Sequence, residues 1–306
     1  MPPAIWQIWK ERIARRRMIA AAGGVQRAAP YEDYRCFKFR KDRGVLFVTI
    51  DHPPMNLLDQ NLLTELGSLA TDVAADDEVK VLVFESADPE YFVSHANVND
   101  IQNMPPKPPK RILDQRPYPI YEQYWTLPKV TIAKIEGAAR GGGSEFALSL
   151  DMRFGAIGKA VLAQSELTLG LATGGGASQK LPRLMGRARA LEVLLSCDDF
   201  SAEVAERYGY INRALPADEI GPRVEEIAYA IGSYPLEAIA LVKQTVQAAE
   251  MPLAEGLAAE ARIFNQSVNS DVARRRMAKY FELGGQTREG DRDMRYMIDE
   301  FAKVAP

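Results

Sequence analysis

Cysteine and histidine are scarce in this chain: 306 residues hold two of each, Cys36 and Cys197, His52 and His95. Four such side chains, scattered as they are, cannot supply a Cys/His cluster with zinc-site spacing, and two cysteines fit a reducing compartment better than a disulfide framework. A structural zinc and a disulfide-stapled scaffold are set aside. Net charge is also small, with 38 Lys+Arg against 41 Asp+Glu leaving −3. No general field draws the chain to nucleic acid or to an anionic membrane, so a small molecule is the expected partner. Long hydrophobic runs are missing too: none approaches the ~20 residues of a membrane span, and the expectation is a soluble protein.

Nucleotide motifs are absent as well. Neither glycine run has the spacing Gly-x-Gly-x-x-Gly, and no Gly-Lys-Ser/Thr follows one, which leaves dinucleotide and Walker-type sites without support. Ser144 is followed two residues later by Phe146, where a nucleophile elbow needs glycine, and a Ser-His-Asp set would have to use His52, in the turn before Pro53, or His95. No metal or redox cofactor is indicated.

What is present reads as α/β. After a polar, mixed lead-in over residues 25–44, Val45–Ile50 is a β-branched run of strand length closed by Pro53 and Pro54. Leu62, Leu63, Leu66, Leu69, Ala70 and Val73 then recur at helical spacing, and Val79–Glu85 and Val130–Ile135 supply further strands. A helix through Glu145–Leu150 and short strands near Met152–Ala156 and Ala160–Ala163 continue the alternation. Beyond Gly176 the pattern turns mainly helical: Ala188–Leu195, Ala202–Tyr208 behind the candidate cap Ser201, a short strand at Ile211–Leu215, then long amphipathic patterns at Leu236–Ala249 and Leu253–Phe264 near Pro235 and Pro252. The division expected is an N-terminal extension over 1–42, partly helical, an α/β core over 43–215 and a helical region over 216–306. Six prolines between Pro105 and Pro119 predict a loop over the core. Arg12, Arg15, Arg16 and Arg17 beside Ile5, Ile8, Trp9 and Ile13 give the N-terminus a faint presequence character, but it lacks Ser and Thr before Gly24. An amphipathic helix packed on the body or a neighbouring subunit, in a cytoplasmic protein, is the preferred reading.

One segment carries the chemistry. Val130–Ile135 empties through Gly137 into Gly141-Gly142-Gly143-Ser144-Glu145, where a helical pattern begins. Bare backbone N–H groups at a helix N-terminus can approach a polar ligand closely and favour negative charge developing on oxygen. Glu145 lies three residues past Gly142, about one helical turn on, which puts a carboxylate on the same side. A second glutamate, Glu166, stands among Val161, Leu162, Ala163, Leu167 and Leu169, surroundings that would raise its pKa by burial.

Four segments together resemble the crotonase superfamily, the enoyl-CoA hydratase/isomerase family, over about residues 43–282: Phe47 to Asn56, Phe92 to Asp100, Gly137 to Asp151 and Ala163 to Gly170, with Gln179 to Ala190 following the same pattern. The resemblance implies a spiral of repeated strand-strand-helix turns and a C-terminal helical region used in forming a trimer, or a hexamer. It implies an acyl-CoA substrate, coenzyme A being part of that substrate and not a separate cofactor. Ala96 and Gly142 match the backbone N–H pair that holds the thioester oxygen, and Glu145 and Glu166 match the acid/base pair of hydratases. His95 and Asn97 stand in Ser94-His95-Ala96-Asn97 where the family usually has Ala-Gly-Ala-Asp, and Thr173 where a proline usually precedes the glycines. His95 and Asn97, with Gly141 and Gly174, form the expected substrate-contacting set, and Thr173 is expected to alter the wall near the attacking water. For the phosphates of coenzyme A, Lys107, Lys110, Arg111 and the cluster from Arg274 to Lys279 are candidate cations. Hydration of a 2-enoyl-CoA is the reaction implied. Double-bond isomerisation, thioester hydrolysis or decarboxylation would use the same oxyanion site, and a non-catalytic acyl-CoA-binding member remains open.

Overall fold

The computed structural model describes residues 31–104, 119–292 and 294–303. The predicted N-terminal helix and most of the proline-rich loop lie outside them, as do Lys107, Lys110 and Arg111. In chain order the elements are β1 (Phe37–Asp42), β2 (Val45–Ile50), α1 (Gln60–Ala75), β3 (Val81–Ser86), β4 (Tyr91–Val93), α2 (Val98–Gln102), α3 (Pro119–Thr126), β5 (Val130–Ile135), β6 (Ala138–Arg140), α4 (Gly142–Ser149), β7 (Met152–Ala156) and β8 (Val161–Ala163). A 3-10 turn over Glu166–Leu169 follows, then α5 (Ala177–Met185), α6 (Arg187–Ser196), β9 (Phe200–Ser201), α7 (Ala202–Tyr208), β10 (Arg213–Leu215) and the helices α8 (Ile220–Gly232), α9 (Leu236–Gln247), α10 (Leu253–Val268), α11 (Asp271–Glu282) and α12 (Met294–Ala302).

The strands divide between a six-stranded sheet, β1-β2-β3-β5-β7-β10, and a four-stranded sheet, β4-β6-β8-β9. Successive pairs β3/β4, β5/β6 and β7/β8 each place one strand in the first sheet and the next in the second, with parallel neighbours within each. Each turn of the chain therefore advances both sheets by one strand, which is the repeated strand-strand-helix spiral.

The near-continuous apolar runs of the large sheet follow from burial on both faces. Leu46, Val48, Leu82, Phe84, Ala133 and Ile135 face a core shared with α1, α3, α4 and the small sheet. Val45, Phe47, Val81, Val83, Val130 and Ile132 face α8 on the other side. Phe84, Tyr124 and Phe146 pack edge to face, with centroids 5.2–5.4 Å apart, beneath α4. Offset and edge-on ring contacts of this kind are favoured by the ring quadrupoles and fix the α4 axis against β3 and α3.

Two local departures from the sequence reading have clear causes. The lead-in contains a strand, β1, paired antiparallel to β2 from Phe37–Ile50 to Asp42–Val45. Its alternation, Phe37 and Phe39 against Lys38 and Arg40, is the period-two signature of a half-buried edge strand, and Arg40 covers the Phe47 ring at 3.7 Å while pairing with Glu225. The second is α5, which begins at Ala177 directly after three glycines.

Besides the packing of α8, a partly buried polar node ties the helical region to the sheet. Asp151 Oδ2 accepts from Thr131 N (2.8 Å), Thr131 Oγ1 (3.0 Å) and Lys243 Nζ (2.7 Å), and Lys243 also donates to the Lys129 carbonyl. Lys243 is on α9, so this ion pair sets where the helices leave the core.

Candidate active site

The site forms where the N-terminus of α4 meets the loop after β4. Gly143 carries no side chain because a Cβ there would lie 2.0 Å from the Val93 carbonyl oxygen. That close approach brings Gly142 against the loop: a Cβ built on Gly142 would stand 3.0 Å from Ala96 Cβ and 3.3 Å from Ala96 N. Ala96 is held by a parallel bridge to Leu58, in which Leu58 N donates to His95 O (2.9 Å) and Asn97 N to Leu58 O (3.0 Å). The bridge uses the amides on either side and leaves the Ala96 N–H out of the ladder. The structure thus brings Ala96 and Gly142, the two positions singled out by the resemblance, side by side. Gly141 supplies the turn at φ +48°, a backbone region that glycine occupies without steric cost.

Glu145 lies in the first turn of α4 and is 4 % exposed. Its Oε1 accepts from Gly175 N (2.7 Å) and Ala177 N (3.1 Å), the amides that open α5. Its pKa is raised from 4.5 to about 7: burial raises it most and Glu166 adds to that, while the two amides and Lys180 hold it down. Glu166 begins the 3-10 turn and is half-buried. Its Oε1 would be 3.2 Å from a Cβ on Gly141, so this carboxylate flanks the oxyanion turn. Desolvation by burial raises its pKa too, against a hydrogen bond from its own backbone. The two carboxyls are unequally buried, and the charge of Glu166 bears on Glu145, an arrangement that can set two proton affinities apart.

A buried polar chain supports Glu166. In the orientation of the Gln164 amide that satisfies both its ends, the NH2 donates to Glu166 Oε1 and Oε2 (3.3 and 3.2 Å), and the oxygen accepts from Tyr210 Oη and Ser144 Oγ (3.0 and 3.1 Å). Ser144 and Tyr210 hydroxyls are 2.6 Å apart. Ser144 is therefore spent on structure. Tyr121, on α3, donates from Oη to the Gly142 carbonyl (2.9 Å) and steadies the first peptide of α4.

The remaining predicted residues fall in different places. His95 is partly buried and its Nδ1 is 2.9 Å from the Ala96 carbonyl oxygen. A carbonyl can only accept, so Nδ1 carries the proton and the ring braces the loop that holds Ala96. Asn97 caps α2: its Oδ1 accepts from Asn99 N and Asp100 N, which commits that oxygen to the backbone. Gly174 is exposed, at the rim beside Gly175. Within the Arg274–Lys279 cluster, Arg274 pairs with Asp271 and Lys279 with Glu282, and Arg276 lies over the Phe301 ring at 4.7 Å.

Gly175, Ala177, Gln164, Tyr121 and Tyr210 are the site residues that sequence reasoning passed over. Only Gly175 left a signal there, as part of a glycine triplet directly before a helix.

The enoyl-CoA hydratase/isomerase family profile matches residues 40–288, and the chain belongs to that family. The short-chain-enoyl-CoA hydratase of Clostridium acetobutylicum is 28 % identical over 246 residues, 79 % of this chain and 93 % of the relative. The crotonyl-CoA hydratase of Syntrophomonas wolfei is 31 % identical over 213 residues, 69 % of this chain and 80 % of the relative. Among solved structures, an enoyl-CoA hydratase from Bacillus anthracis superposes with a TM-score of 0.73 at 25 % identity, covering 82 % of this chain and 97 % of that one. The fold is the crotonase fold, and the protein is an enzyme of this family.

Proposed function

We propose that the protein adds water reversibly to a 2-enoyl-CoA to give a 3-hydroxyacyl-CoA. The observation that carries this reading is the pair Glu145 and Glu166 beside the adjoining amides of Ala96 and Gly142. Glu145, with Oε1 held by two amides, takes a proton from water as the water oxygen bonds to the β carbon. The C=C electron pair moves through the α carbon onto the thioester oxygen, which the two N–H groups stabilise. Glu166 delivers a proton to the α carbon, the enolate collapses to the thioester, and solvent restores both carboxyls. Coenzyme A enters as part of the substrate, with no separate cofactor in any step.

Turnover of short, medium, branched and aromatic 2-enoyl-CoA esters in heavy-oxygen water tests the reaction. Uptake of label into an intact 3-hydroxyacyl-CoA is expected. Migration of the double bond without label would make the protein an isomerase instead, and release of free coenzyme A a hydrolase.

The reading includes a homotrimer, alone or paired into a hexamer. Val242 and Val246 on α9, Leu253, Leu257 and Phe264 on α10, and Phe281 on α11 are each more than half exposed, and helical spacing collects them into apolar faces that a monomer would leave in water. Sedimentation equilibrium should return three or six times 34.0 kDa, and a monomer at micromolar concentration would end the trimer reading. Among the described residues no helix is long and apolar enough to cross a membrane. Cys36 and Cys197 are free thiols, in keeping with work in the reducing cytoplasm, and no nucleic-acid partner is part of the reading.

A further inference from the structure

We propose that Lys180 is a positioning residue for Glu145: its ammonium ties together the three helices that frame this carboxylate and sets a positive charge at their junction. The inference rests on the hydratase reading for its consequence, but its physical content concerns Glu145 alone.

Lys180 lies on α5, three residues after Ala177, whose amide together with that of Gly175 holds Glu145. From there its Nζ reaches back to donate to the Leu148 carbonyl (3.2 Å) in the last turn of α4. The same ammonium stands 4.6 Å from the centroid of Trp125 on α3, the helix that also carries Tyr121. One side chain therefore links α3, α4 and α5.

The environment is an odd one for an ammonium. Lys180 has three N–H donors, yet one carbonyl and one aromatic face are the contacts it makes, and among the described residues no carboxylate is within ion-pair distance. A half-buried cation without a paired anion acts at longer range where solvent screens it only in part. The charges that face it are Glu145, Asp151 and Arg153. Asp151 is already paired with Lys243, and Arg153 spends its guanidinium on the Tyr210, Leu150 and Ala147 carbonyls. Glu145 is left as the charge that Lys180 serves. Glu145 itself faces Glu166, Lys180 and the two α5 amides. Burial, with Arg153 adding to it, brings the Lys180 pKa down to about 8, so the ammonium is present through neutral pH and fades above that value.

A plain structural role, capping the C-terminal end of α4, would account for the Leu148 hydrogen bond but not for an effect on Glu145 ionisation. The deciding experiment is titration of the Glu145 side-chain carboxyl by carbon-13 NMR in protein labelled at glutamate Cδ, the signal assigned by its loss in Glu145→Gln. Wild type, Lys180→Met and Lys180→Arg are compared, each first confirmed folded by circular dichroism. Lys180→Met should raise the Glu145 midpoint by about one unit, as removal of a nearby opposite charge does, and Lys180→Arg should restore it and hold it above pH 8. Coupling is reciprocal, so Glu145→Gln should lower the Lys180 midpoint read by nitrogen-15 NMR. That arm stands even where Lys180→Met fails to fold.

An unchanged Glu145 midpoint in folded Lys180→Met, or an unchanged Lys180 midpoint in Glu145→Gln, overturns the proposal. Neither measurement involves turnover, so failure of the hydratase reading is seen separately in the heavy-oxygen assay. Where both hold, the acidic limb of the kcat profile in Lys180→Met moves to higher pH with the Glu145 midpoint.

Discussion

Glu145→Gln is expected to lower kcat for hydration by about three orders of magnitude and, at the same time, to make the protein more stable at pH 8. The two effects share one cause. In the fold Glu145 has its pKa raised from 4.5 to about 7, chiefly because burial penalises the charged form. The folded state therefore binds this proton more tightly than the unfolded chain does. Below about pH 4.5 both states are protonated and the group is neutral for stability. As pH rises toward 7 the unfolded chain releases the proton first, and stability falls until both states are ionised, at a total cost of about 3 kcal/mol. A glutamine removes that cost, because its oxygen still accepts from Gly175 and Ala177 while no charge is buried. Melting temperatures of the two proteins should therefore differ at pH 8 and converge as the pH falls below 4.5. A gap that does not vary with pH would sink the buried-carboxylate explanation, and undiminished turnover would remove Glu145 from the mechanism. Glutamine at this position is a case in which stability and activity pull in opposite directions, as strained functional sites commonly arrange.

How much of this was readable beforehand differs by the range of the interaction. Local signals held well. Ser201 caps α7 as the sequence indicates, Pro235 and Pro252 stand directly before α9 and α10, and the leucine spacing from Leu62 to Val73 lies within α1. The turn into α4 was legible because a glycine triplet after a buried strand leaves few alternatives to a tight turn into a helix, whereas the pairing of Gly142 with Ala96 came from the resemblance. The spiral itself came from the resemblance, since two- and three-residue strands such as β4, β6 and β9 are too short to show a period. Least visible were contacts made at long range. Glu145 meets the α5 amides 30 and 32 residues downstream, and Tyr210 reaches Ser144 across 66 residues. Composition and spacing carry no record of such meetings. Asn97 adds a local contact that the resemblance did not supply: its oxygen caps α2, a common use of asparagine before a helix.

Gly175→Ala tests the contact that the sequence did not announce. Gly175 does not have a positive φ, so alanine meets no backbone strain there and only the added methyl counts. That methyl would lie 2.4 Å from Glu145 Oε2 and 2.3 Å from Tyr121 Cε2, far inside van der Waals contact. Tyr121 is tied to the Gly142 carbonyl and packed in the core, so the carboxylate is the partner with more freedom to yield. Its movement takes Oε1 off the Gly175 and Ala177 amides. Displacement of a reacting group by about 1 Å costs about 100-fold in rate, which is the loss in kcat expected for this variant with its fold retained. Position, not chemistry, would then be what was lost, and a double-mutant cycle separates the two. In the Glu145→Gln background there is no base left to misplace, so adding Gly175→Ala should reduce residual turnover little further. Fully additive losses would mean that the alanine harms the enzyme elsewhere, through Tyr121 and the Gly142 peptide, and that the α5 amides are not what holds the base in place.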